Sequence, residues 1–125
     1  MVLLAWEASA ALAAGNAVII KPSQYTSLTT LLFCEAFKAL PDGLFQVVTG
    51  EAAAGKSLVE HKDTHMVAFT GSVPVGVSIA SKCGELMKRS LIENSGNDPF
   101  IVMPSAPMDI TARAAAFSAY MNCGQ

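Results

Sequence analysis

Charge is scarce in this chain: 14% of its 125 residues are Asp, Glu, Lys or Arg, against about 25% in an average protein. A free-standing domain of this size exposes much of its surface and needs charge to wet it. The scarcity fits an alanine-rich domain of marginal solubility, or a central piece of a larger protein whose faces are covered by further sequence; the second is the expectation. The charges nearly balance at -2, and the basic residues are scattered apart from Lys88-Arg89. Nothing here resembles the electrostatic footprint of a nucleic-acid or anionic-membrane partner. Cysteine is also rare. Cys34, Cys83 and Cys123 lack metal-ligand spacing and leave one unpaired, which points to a reduced, cytoplasmic setting. Long apolar runs are missing too. The stretch from Met1 to Ile20 contains Glu7, breaks at Gly15-Asn16 and has no basic start, so it reads neither as a spanning helix nor as a signal peptide.

What is present is a regular alternation of short elements. Residues 2 to 14 predict a helix capped by Gly15-Asn16. Ala17 to Ile20 is all apolar, as in a strand buried on both faces. Helical periodicity runs from Thr26 to Ala39, a turn falls at Pro41-Asp42-Gly43, and Phe45 to Val48 predicts a second buried strand. A helix over Ala52 to His61, a strand over Met66 to Phe69 and a helix from about Pro74 to Cys83 follow. Met87 to Ile92 and Phe100 to Met103 are further strand candidates, and Asp109 to Met121 predicts the last helix. Strands alternating with helices on short connections indicate an α/β fold, a Rossmann-like parallel sheet with flanking helices. In such sheets ligands bind beyond the carboxyl ends of the strands, so the segments that follow each strand matter most.

Four of these segments carry candidate chemistry. After the first strand, Lys21-Pro22-Ser23-Gln24 places an ammonium and hydrogen-bonding groups behind a proline that fixes the exit direction; a plain solvated lysine is the competing reading. Gly50 to Ser57 matches the phosphate-loop pattern G-x-x-x-x-G-K-S/T letter for letter, between a strand and a helix. A triphosphate-binding protein is therefore an alternative, although no following strand ends in an aspartate to hold magnesium. Thr70-Gly71-Ser72 offers a small-residue turn and an N-cap whose exposed amides suit a diphosphate, or simply an ordinary capped helix. Glu93 directly follows a strand and heads a polar loop, Asn94 to Asp98. Partial desolvation there would raise its pKa toward that of a general base; a loop acid paired with Lys88 or Arg89 is the competing reading.

In order and spacing, these segments resemble the aldehyde dehydrogenase superfamily from about Leu4 to Gln125. The resemblance is carried by the opening WEASAALAAGN, Lys21-Pro22-Ser23, the Val47-Val48-Thr49-Gly50 turn, Phe69-Thr70-Gly71-Ser72 with Gly76, the loop led by Glu93, and Asn122-Cys123-Gly124-Gln125. It implies that residues 1–93 form an NAD(P)-binding Rossmann-like region and that residues 94–125 begin the catalytic domain. Lys21 and Gln24, with Ser23 between them, would meet the adenosine ribose of NAD or NADP. Gly50 would belong to the family's glycine turn, Ser72 would sit at the pyrophosphate and Gly71 near the nicotinamide ribose. Glu93 would be the base that activates water. The implied reaction oxidises a small-molecule aldehyde through a thiohemiacetal and a thioester. The family's dimers and tetramers, together with the apolar surface, imply a homo-oligomer.

Three departures from the family pattern qualify these expectations. Gln24 stands where the family usually has glutamate, which removes a repulsion toward a 2′-phosphate and should make NADP better tolerated. Asn94-Ser95-Gly96 replaces Leu-Gly-Gly after the base, and one glycine fewer restricts the backbone around Glu93. The family nucleophile follows Gly-Gln after one further residue, and Cys123 is not at that position. The chain is thus expected to be an internal fragment, inactive alone, or else a non-catalytic cofactor-binding remnant.

Overall fold

The computed structural model describes residues 2–124. The chain divides into two compact units, one running through Ser95 and the other starting at Gly96. The first unit contains α1 (Val2–Ala13), β1 (Val18–Ile20), α2 (Ser27–Cys34), β2 (Phe45–Val47), α3 (Ala52–Glu60), β3 (Met66–Gly71), α4 (Val73–Glu85) and β4 (Arg89–Asn94). The second contains α5 (Met108–Tyr120) and a terminal 3-10 turn, Met121–Gly124.

α1 ends as its sequence predicts. Gly15, at φ 81, donates to the Leu12 carbonyl at 2.9 Å and Asn16 to the Ala11 carbonyl at 3.0 Å, which is the paired closure of a left-handed cap. The helix expected over Thr26 to Ala39 is shorter and more tightly wound than periodicity suggests. A 3-10 turn at Gln24–Thr26 leads into α2, and another at Glu35–Phe37 ends it. That second turn brings Phe37 onto β2, where its ring stacks on Phe45 at 4.3 Å while Phe33 meets Phe37 edge-on at 5.1 Å.

The four strands are parallel, as α/β alternation requires, but among the described residues they form two separate pairs. β1 pairs with β2 from Val18↔Phe45 to Ile20↔Val47, and β3 with β4 from Met66↔Arg89 to Gly71↔Asn94. β1 and β2 are only three residues long and offer few ladder bonds for extending a sheet. Nor are they buried on both faces. Ile19 is 50% exposed, because no described element covers that face. Among the described residues few apolar side chains are buried, namely Ala8, Val59 and Cys83, and Cys83 alone is fully so. Trp6, Tyr25, Leu28 and Met87 all lie open to solvent.

α3 and β4 are tied together by one side chain. Lys88 Nζ donates at 2.6 Å to the carbonyls of both Val59 and His61, closing the carboxyl end of α3. In the second unit the strand expected over Phe100 to Met103 does not form. Prolines at 99 and 104 bracket the segment, no partner strand exists among the described residues of that unit, and Ile101 is 79% exposed. No described helix is long and apolar enough to cross a membrane.

Candidate functional site

The groups singled out by sequence gather at the carboxyl ends of the two parallel pairs. At the β1–β2 pair the centre is Lys21. Its half-buried side chain runs past Gly55 of α3, and its ammonium donates to the Pro22 carbonyl at 2.8 Å and the Gly50 carbonyl at 3.1 Å. These bonds join the turn after β1 to the turn after β2. An ammonium has three donors, so one remains for a ligand. Ser23 caps the following 3-10 turn, with its hydroxyl accepting from the Tyr25 amide at 3.4 Å. Gln24 is exposed and its side chain makes no hydrogen bond among the described residues.

The phosphate-loop alternative fails here. α3 already begins at Ala52, so Gly55, Lys56 and Ser57 lie within the helix, and the Gly55 amide donates back to the Glu51 carbonyl at 3.3 Å. Amides used in helix bonds cannot line a triphosphate cradle. Lys56 is exposed and reaches Glu60 at 3.9 Å, an ordinary one-turn pair on a helix surface.

At the β3–β4 pair the register does the positioning. Thr70 is opposite Glu93 and Gly71 opposite Asn94, and the Ser95 amide donates to the Gly71 carbonyl at 3.4 Å. Partners in a parallel pair project to the same face, and neighbours along a strand to opposite faces. Thr70 and Glu93 therefore share one face, and Phe69, Ile92 and Asn94 lie on the other. The latter face packs on α4: Gly76 is buried against Asn94, whose Oδ1 is buried without a hydrogen-bond partner. Ser72 precedes α4 with φ -71 and ψ 148, and its side chain caps no amide. The first turn of a helix has no internal acceptors for its amides, and Pro74 removes one of those donors.

Glu93 is exposed rather than partly desolvated as the sequence suggested, and it lies on the same face of the pair as Thr70. It makes no ion pair with Lys88 or Arg89 among the described residues, and the Lys88 ammonium is occupied at α3. Sequence reasoning missed one participant. Thr70 Oγ1 donates to Glu7 Oε1 of α1 at 3.1 Å, a contact between residues 63 positions apart. A lone acid in a helix with no other ionisable residue was the available signal. Away from both strand ends, an open cavity of about 190 Å³ lies beside Cys34, Phe37 and Phe45, at the amino end of β2.

Two parallel β–α–β units with polar and glycine-bearing turns at their carboxyl ends define an α/β protein. The description "Aldehyde dehydrogenase family" matches residues 1–125, and the chain belongs to that family. It is 42% identical over 125 residues to a betaine aldehyde dehydrogenase of Brucella ovis, covering 98% of this chain and 26% of the relative. Among solved structures it is similar to a gamma-glutamyl-gamma-aminobutyraldehyde dehydrogenase from Burkholderia cenocepacia, with a TM-score of 0.91 at 40% identity over 98% of this chain and 26% of that one. An NAD-dependent aldehyde dehydrogenase from Sinorhizobium meliloti gives a TM-score of 0.81 at 40% identity, covering 87% of this chain and 22% of the other. The chain thus spans about a quarter of the length of the curated relatives it matches.

Proposed function

We propose that this chain supplies the cofactor-binding region and the general base of an NAD(P)-dependent aldehyde dehydrogenase that converts an aldehyde to a carboxylic acid. The observation that carries the reading is the β3–β4 register, which sets Glu93 beside the Thr70-Gly71-Ser72 turn. Residues 1–93 act as the dinucleotide region and residues 94–125 as the start of the catalytic part. Bound to the chain, the nicotinamide cofactor supplies the hydride acceptor of the oxidation.

The groups present fit such a ligand. Lys21, braced on two carbonyls, keeps a donor for the adenosine ribose, with Ser23 and Gln24 alongside and Gly50 shaping the turn beneath it. The unused Ser72 hydroxyl and the free amides at the start of α4 suit the pyrophosphate, and Gly71 leaves room beside the nicotinamide ribose. Glu93, open to solvent, takes a proton from the water that hydrolyses the acyl intermediate. A betaine aldehyde dehydrogenase among the relatives favours a small, soluble aldehyde as substrate. The largely apolar outer faces of α1 and α2 support association of copies, and the three free thiols support a reducing, cytoplasmic setting.

Calorimetric titration of the protein carrying this sequence with NAD+ and NADP+ tests the reading. Saturable binding of either, weakened about tenfold or more by Lys21→Ala, is expected for the loss of a charge-assisted contact. Absence of binding to the unsubstituted protein overturns it.

A further inference from the structure

Glu7 has no part in the functions proposed so far, yet the fold brings it to the ligand end of β3. Its carboxylate accepts from Thr70 Oγ1 at 3.1 Å. Thr70 is opposite Glu93 in the ladder, so the Thr70 hydroxyl shares a face with the Glu93 side chain. Thr70 also immediately precedes Gly71. Two carboxylates, one from α1 and one from β4, therefore flank the threonine that leads into the turn. Lys21 is held by the Pro22 and Gly50 carbonyls, and Lys88 by the carboxyl end of α3. No cation among the described residues forms a salt bridge with either acid.

We propose that Glu7 is a charge-selecting residue of the cofactor site, its carboxylate favouring the oxidised, cationic nicotinamide ring over the reduced, neutral one. The proposal rests on the cofactor reading above, with Gly71 at the nicotinamide ribose. The two redox forms differ in charge by one unit, at the ring. A fixed negative charge near that ring therefore acts on one form and leaves the other almost untouched. For a carboxylate on an exposed face within several ångströms of the ring, the effect would be about three- to tenfold in affinity. It shrinks as salt rises, because the Glu7–Thr70 contact is exposed. Thr70 acts as the positioning residue that holds the carboxylate over the strand end.

The test compares affinities for the two redox forms rather than turnover. NADH binding is read from its own fluorescence, and NAD+ binding from calorimetry or from displacement of NADH. Glu7→Gln is expected to raise the Kd for NAD+ about three- to tenfold and leave that for NADH within about twofold. Glu7→Asp should retain part of the preference, and Thr70→Val should lose part of it by releasing the carboxylate. In the unsubstituted protein, the ratio of the two affinities should fall toward parity as salt is raised. Equal weakening of both forms in Glu7→Gln marks a purely structural role and overturns the proposal, as does a salt-independent ratio. If neither form binds the unsubstituted protein, the cofactor reading fails first and this inference falls with it.

Discussion

The side chain of Asn94 packs directly on Gly76, so closely that a methyl group added at Gly76 would lie 2.0 Å from Asn94 Oδ1. This contact joins the end of the strand that carries Glu93 to the first turns of α4. Gly76→Ala is expected to destabilise the protein by about 1–3 kcal/mol through overpacking. Adding Asn94→Ala should recover most of that loss, since it removes both the obstacle and a buried amide oxygen without a partner. Urea denaturation of the two single variants and the double variant measures the coupling. Simple additivity would show that the contact does not constrain the loop.

Gln24 stands exposed after β1, and its side chain makes no hydrogen bond among the described residues. Gln24→Glu is expected to weaken NADP+ binding about tenfold by charge repulsion while NAD+ changes by less than about threefold. Parallel calorimetric titrations check this, and equal effects on both nucleotides would place residue 24 away from the ribose.

For Glu93 the separation of binding from chemistry is the useful readout. In an active enzyme that contains this sequence, Glu93→Gln should lower steady-state aldehyde oxidation by about 10²- to 10⁴-fold, the usual loss for a general base. The Kd for NAD+ should stay within about twofold of the parent value, a factor that corresponds to about 0.4 kcal/mol. A parallel loss of cofactor affinity would assign Glu93 to binding instead.

Cys34 and Cys123 should differ in reactivity. Burial, and secondarily the neighbouring Glu35 carboxylate, raise the pKa of the Cys34 thiol, whereas Cys123 is exposed. A raised pKa leaves less thiolate at neutral pH, so Cys34 should be alkylated more slowly than Cys123. Glu35→Gln should modestly accelerate the Cys34 reaction by removing the smaller of the two causes. Mass-spectrometric mapping of iodoacetamide adducts against time checks both points.

Local signals read true where the chain's own chemistry decides the outcome. The Gly15-Asn16 cap, the helix starting near Ser72 and the strands on either side of α4 all follow from residues a few positions apart. The Phe100–Met103 segment did not, because an apolar run becomes a strand only when a neighbour supplies a ladder. The second turn after α2 was set by Phe37 meeting Phe45 across the fold, which periodicity cannot reveal. The sequence sets Glu93 just past its strand, whereas β4 runs on through Asn94, and the exposure of Glu93 depends on what covers its face of the β3–β4 pair. Glu7 illustrates the same limit, since a hydrogen bond across 63 residues leaves no local trace. The phosphate-loop match misled for a related reason: a pattern of letters does not say where the helix begins.

The isolated β3–β4 pair also prescribes a pattern of amide exchange with solvent. The Arg89 amide donates inward to the His65 carbonyl at 3.2 Å and the Ser95 amide to the Gly71 carbonyl at 3.4 Å. Strand alternation then turns the amides of Leu91 and Glu93 inward and those of Ser90, Ile92 and Asn94 outward. With no third strand among the described residues to receive them, the outward amides should take up deuterium quickly while their immediate neighbours stay protected. Protection would thus alternate residue by residue along a single strand, a comb whose open teeth mark the edge where another strand can add.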